Sequence, residues 1–141
     1  MPKKAKILII EDEPAVSMMM VHLLTRAGCE VATAWDAAKG MELAEAGNFD
    51  LITLDVDLSG LGLSGFEICH RLKEEPRLRH TPVVFVSGRF SQEDARHGLE
   101  LGAVDYITKP FGAADFAARI ISHTTVKTRP AKQLPPERAT A

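Results

Sequence analysis

Short apolar runs alternate along the chain with segments whose apolar residues recur at helical spacing. Ile7-Leu8-Ile9-Ile10, Leu51-Ile52-Thr53-Leu54 and Val83-Val84-Phe85-Val86 stand out, and with two weaker runs they predict strands near 6–10, 30–34, 50–54, 82–86 and 104–107. The first helix opens at Pro14, which is preorganised for a first helical turn, carries Val16, Met20, Leu23, Leu24 and Ala27 on one stripe, and ends at Gly28. A second runs from an Asp36 cap through Met41 and Leu43 to Gly47, weakened in its middle by Gly40. A third spans about Gly65 to Glu75 before Pro76, a fourth runs from a Ser91 cap to near Gly102, and a fifth from about Ala113 to His123. Strands and helices in strict alternation predict an α/β fold of repeated βα units around a parallel sheet.

Composition narrows the class without naming a function. A chain of 141 residues fits one domain, and 26% charged residues with a net charge of −2 leave neither a nucleic-acid footprint nor an acidic tail. No apolar stretch approaches the roughly 18 to 20 residues of a membrane helix, and Met1-Pro2-Lys3-Lys4 runs straight into a strand without a signal-peptide core. A cytoplasmic protein with no direct nucleic-acid or membrane binding is expected. Cys29 and Cys69 lack CxxC spacing and read as reduced, packed thiols. The five histidines, His22, His70, His80, His97 and His123, form no ligand spacing and read as surface or capping residues. After Thr125 the composition shifts to Lys127, Arg129, Pro130, Lys132, Pro135, Pro136 and Arg138. The expectation is a folded domain over 1–125 followed by a flexible basic, Pro-containing tail or truncated interdomain linker over 126–141.

The chemistry gathers where strands end. Glu11-Asp12-Glu13 follow the first strand, Asp55 the third, Ser87 the fourth and Lys109-Pro110 the fifth. In an open parallel sheet, ligands bind in the crevice outside the carboxyl ends of the strands, so these clusters converge. Acids crowded at one edge raise each other's pKa unless a divalent cation neutralises them. Mg²⁺, which takes one or two carboxylates together with phosphate oxygens, suits Glu11, Asp12 and Asp55. A metal-screened Asp55 is then a plausible nucleophile toward a phosphoryl group. Lys109 and Ser87 would stabilise its oxygens as charge and as hydroxyl donor. Taken singly, each has a plainer reading: acids at a helix start, a solvated lysine, a serine in a turn. Pro110 also makes a cis peptide after Lys109 an option.

The runs Ile7-Leu8-Ile9-Ile10-Glu11-Asp12-Glu13-Pro14, Leu51-Ile52-Thr53-Leu54-Asp55, Thr81-Pro82-Val83-Val84-Phe85-Val86-Ser87-Gly88 and Gly102-Ala103-Val104-Asp105-Tyr106-Ile107-Thr108-Lys109-Pro110-Phe111 resemble the receiver domain of two-component response regulators, over about residues 5–124. The resemblance implies a flavodoxin-like (βα)₅ doubly wound fold with a five-stranded parallel sheet. It implies a phosphoacceptor switch, not an enzyme acting on other substrates, that takes a phosphoryl group from a sensor histidine kinase or histidine phosphotransfer protein. By position, Asp55 is similar to the phosphoacceptor, Glu11 and Asp12 to the acidic pair with Asp12 the more direct Mg²⁺ ligand, and Asp57 to the residue lending a backbone carbonyl to the metal. Ser87 resembles the switch hydroxyl, Tyr106 the switch aromatic and Lys109 the phosphate-pairing lysine. The surface that changes would be the fourth helix, fifth strand and fifth helix, with phosphorylation-dependent dimerisation and an unidentified downstream effector as further implications.

The chain departs from the family pattern after Asp55, where Leu58-Ser59-Gly60-Leu61-Gly62-Leu63-Ser64-Gly65 lacks the usual Pro and is about two residues longer. Asp57 and Arg89 each follow a site residue by two positions, and a pair between them would flank the mouth of the site; the bland alternative is two exposed charges. Met18, Met19 and Met20 cannot all face the core, so adaptable side chains beside the site would suit a kinase helical bundle. Two other classes compete with this reading. Asp55-Val56-Asp57 also resembles the nucleophile motif of haloacid-dehalogenase-like hydrolases, but only Asp115 follows Lys109 before the tail where that family needs late acids. A phosphorylation-independent interaction module would keep the fold without the switch.

Overall fold

In the computed structural model, which describes residues 3–58 and 62–124, every predicted strand and helix is present. They run β1 (Lys6–Ile10), α1 (Pro14–Arg26), β2 (Glu30–Ala34), α2 (Ala37–Ala46), β3 (Leu51–Leu54), α3 (Gly65–Glu74), β4 (Val83–Ser87), α4 (Gln92–Glu100), β5 (Asp105–Thr108) and α5 (Ala113–Ser122). The five strands form one parallel sheet in the order β2-β1-β3-β4-β5. This is the flavodoxin-like doubly wound arrangement. The chain starts in the sheet, steps outward to β2 and then crosses back to β3, so the order reverses between β1 and β3 and a crevice opens at their carboxyl ends.

Alternation along each strand divides the core. Ile7, Ile9, Leu51, Val84, Val86 and Ile107 point to the face covered by Met20 and Leu24 of α1 and Phe116 and Ile120 of α5. Leu8, Ile10, Ile52, Leu54 and Phe85 point to the other face, under α2 and α3. A side chain of this kind taken fully out of water stabilises the fold by about 1.5–3 kcal/mol, and β1 and β3 are buried almost throughout.

Local chemistry sets the element ends. Asp36 accepts from the Lys39 N–H at 2.8 Å and Ser91 from the Asp94 N–H at 3.0 Å, so both predicted caps form. Ser64 and Glu67 close a capping box over the start of α3. The third, fourth and fifth strands begin one residue later than expected. Pro82 has no N–H for the ladder, and the Asp50 carboxylate turns back to accept from the Lys6 N–H at 2.8 Å. Gly40, read from sequence as a weak point, has a packing reason: a Cβ there would lie 2.6 Å from Ile10 Cδ1, so the glycine seats α2 on β1. Gly65 does the same more sharply, since its Cβ would stand 2.0 Å from the Asp55 carbonyl oxygen.

Cys29 and Cys69 are buried and free, and burial pushes the Cys69 thiol up to about 11. His97 packs edge-on to Phe66 with centroids 4.6 Å apart, and His123 ends α5. Among the described residues no helix is long and apolar enough to cross a membrane. The expected tail over 126–141 lies outside the described residues, as do Ser59, Gly60 and Leu61 of the loop after Asp55.

Candidate functional site

Of the four strand-end clusters, three bring their charged side chains into contact. Glu11 leaves β1, Asp55 leaves β3, and Lys109 directly follows β5, with a cis peptide joining it to Pro110. The Lys109 Nζ lies 2.8 Å from Asp55 Oδ2, 2.9 Å from Glu11 Oε1 and 3.0 Å from Glu13 Oε1. Burial alone would lower the lysine's pKa, but hydrogen bonds from Asp55, Glu11 and Glu13 reverse this and hold it above the ordinary lysine range. The Glu11 pKa is raised as well, by burial and by the Asp55 charge, despite the Lys109 contact.

The backbone finishes the arrangement. The Asp57 N–H donates to Asp55 Oδ1 at 3.2 Å, and the Glu13 N–H donates to Glu11 Oε2 at 3.1 Å. Glu11, Asp12 and Asp55 each offer a carboxylate oxygen, and these oxygens lie within 4.8 Å of one another. An all-oxygen, strongly anionic set of this kind fits a hard divalent cation such as Mg²⁺. Above it opens a cavity of about 510 Å³ lined by Asp12, Asp55, Asp57, Arg89 and Lys109 among others.

Ser87 and Tyr106 share the face of the sheet that carries Phe85. Ser87 is fully buried, and its hydroxyl accepts from the Arg89 N–H at 3.1 Å. Tyr106 sits beside Phe85 in register, half-buried, with its hydroxyl donating to the Arg89 carbonyl. Gly98 of α4 leaves room for the Phe85 ring, since a Cβ there would stand 2.9 Å from it. The expected Asp57–Arg89 pair forms at 3.6 Å between exposed side chains. Met20 is buried while Met18 and Met19 are exposed.

Sequence reasoning missed two partners. Glu13 belongs to the acidic cluster, and its position two residues past Glu11, at the cap of α1, is the signal that points to it. Asp94, 3.5 Å from the Arg89 Nε, carried no signal beyond a helix-start acid.

The profile described as the response regulator receiver domain matches residues 7–121. The chain is 36% identical over 115 residues to the transcriptional regulatory protein TcrA of Mycobacterium tuberculosis, covering 82% of this chain and 44% of that protein. It is 37% identical over 123 residues to the response regulator PleD of Caulobacter vibrioides, covering 87% of this chain and 27% of that protein. It thus spans less than half the length of these curated relatives. Among solved structures, the chemotaxis protein CheY4 of Vibrio cholerae superposes with a TM-score of 0.79 at 27% identity, covering 86% of this chain and 99% of that one. A BeF3-activated DrrB receiver domain gives 0.74 at 28% identity, covering 86% and 97%.

Proposed function

The chain belongs to the response regulator receiver domain family of two-component signalling, whose members are phosphorylated on an aspartate, and from that premise we propose that Asp55 is the aspartate concerned. The observation that carries this reading is the Lys109 Nζ held 2.8 Å from Asp55 Oδ2 at an edge crowded by Glu11 and Asp12.

Receiver domains of this family interact with kinases and effectors. In our reading the donor is the phosphohistidine of a sensor histidine kinase or histidine phosphotransfer protein. An Asp55 carboxylate oxygen attacks phosphorus, the P–N bond breaks, and the imidazole leaves with the electron pair and takes up a proton. Mg²⁺ would be held by Asp12, Asp55 and the Asp57 carbonyl with Glu11 nearby, and when bound it supplies positive charge between the carboxylate and the phosphoryl oxygens. Lys109 exchanges a carboxylate contact for a phosphoryl oxygen. Ser87 gives up the Arg89 N–H and donates its hydroxyl to another oxygen, and Tyr106 rotates into the space vacated, altering the α4–β5–α5 face. The chemistry is confined to the domain's own phosphorylation and dephosphorylation, in the cytoplasm, within a domain of residues 1–125 and apart from the tail at 126–141. The output then runs through a downstream effector, with any phosphorylation-dependent dimer part of that output.

Intact mass after incubation with acetyl phosphate tests this. One added phosphoryl group is expected in the wild type, lost on omission of Mg²⁺ and lost in Asp55→Asn. An adduct that survives Asp55→Asn overturns the assignment.

A further inference from the structure

Arg89 is bonded at once to both halves of the switch, to the mouth of the site and to α4. Its N–H donates to Ser87 Oγ and its carbonyl accepts from the Tyr106 hydroxyl. Its guanidinium reaches Asp57 at the mouth, 3.6 Å from Nη1, and Asp94 in the first turn of α4, 3.5 Å from Nε. Asp94 in turn belongs to the capped start of that helix, since its N–H donates to Ser91 Oγ at 3.0 Å.

Of the residues lining the cavity over Asp55, Arg89 and Lys109 carry the positive charge. Lys109 is committed to three carboxylates at 2.8–3.0 Å. Both Arg89 contacts are longer than the roughly 2.7–2.9 Å of a charge-assisted hydrogen bond, and its side chain is half exposed. It is therefore the cation able to change partners. A phosphoryl group presents several anionic oxygens to a planar guanidinium, a better match than a single carboxylate oxygen at 3.5 Å.

We propose that Arg89 is an electrostatic latch: with Asp55 unmodified it ties Asp94, and with it the start of α4, to the mouth of the site. A phosphoryl group on Asp55 draws the guanidinium inward and frees Asp94. This rests on Asp55 being the phosphoacceptor and adds a second line of communication to that site, one that needs no rotation of Tyr106. The first turn of α4 then loosens and offers a partner a free carboxylate beside the exposed Phe90 ring.

Amide hydrogen exchange across residues 92–96 tests the latch, in chains with and without acetyl phosphate and Mg²⁺, with phosphorylation followed by intact mass. In the wild type, phosphorylation should speed exchange in this turn by about five-fold, the scale of a weak ion pair released. Asp94→Asn and Arg89→Ala should exchange at the faster rate already when unmodified, and gain little more on phosphorylation. Glu93→Gln removes a charge from the same turn without touching the latch and should behave as the wild type. Wild-type rates in unmodified Asp94→Asn and Arg89→Ala would overturn the latch, as would a full phosphorylation-dependent increase in both. A wild type that takes no phosphoryl group overturns the phosphoacceptor reading, and the release step with it; the tether itself is still judged by the unmodified variants.

Discussion

The two cations facing Asp55 are held in opposite ways. Lys109, 13% exposed, sits among three carboxylates at 2.8, 2.9 and 3.0 Å on the floor of the site; Arg89, 52% exposed, reaches two at 3.5 and 3.6 Å on the rim. On the floor, low local dielectric strengthens each attraction and makes any unpaired charge costly. On the rim, water and salt leave a pair worth at most about 1 kcal/mol. The floor is held rigidly and the rim loosely, and the proposed latch draws on that difference.

Lys109→Met breaks the strong end of this comparison. It leaves Glu11 and Asp55 facing each other in a buried pocket, and a loss of about 3 kcal/mol at neutral pH is expected from removing one partner of a buried pair. The Glu11 pKa, already raised by burial, climbs further without the lysine. A carboxyl whose folded pKa lies above its unfolded one destabilises the fold when charged, so the deficit should shrink as pH falls through the folded value. Urea midpoints at neutral pH and about pH 5 check this; a deficit that ignores pH would mean the lysine acts through packing alone.

Asp105→Asn supplies the intermediate case. Asp105 joins β5 to α5 through Arg119 at 2.5 and 3.0 Å and His123 at 3.1 Å, with Arg119 about a third exposed. Burial would raise its pKa, but the Arg119 hydrogen bonds, helped by the Tyr106 N–H and His123, bring it below the ordinary 3.8. A lowered carboxylate pKa stabilises above the unfolded value, and that contribution is lost as pH falls through the folded one. A deficit of about 1–2 kcal/mol at neutral pH should therefore fade below about pH 3.8, visible as converging urea midpoints.

Arg89→Ala should be the smallest effect on stability, within about 1 kcal/mol and smaller still in high salt. A large, salt-independent loss in thermal unfolding would place Arg89 with the floor and remove the contrast.

Much of this was legible in the chain because its signals are local. Proline at the start of α1, Asp36 and Ser91 as caps, and the apolar runs of β1, β3 and β4 act within a turn or a strand of themselves. Asp55, Glu11, Asp12 and Lys109 were legible as a group because each stands where a strand ends. Gly40 misled, since propensity registers the entropy of a glycine and not the Ile10 side chain that needs the space. Glu13 and Asp94 stayed hidden because a charged residue at a helix start looks alike whether or not a cation waits opposite.

The sequence by itself determined the alternation of strands and helices, their ends and the residue types brought to the sheet edge, because hydrophobic period, caps and turn chemistry are properties of near neighbours. Only the tertiary structure decided which charges meet and at what strength. Lys109 finds Asp55 and Glu13 across 54 and 96 residues of chain, and Tyr106 falls beside Phe85 on the face that Ser87 shares. The physical reason is that an ion pair depends on distance and on the water left around it, and both are fixed by strand order and side-chain burial, not by position along the chain.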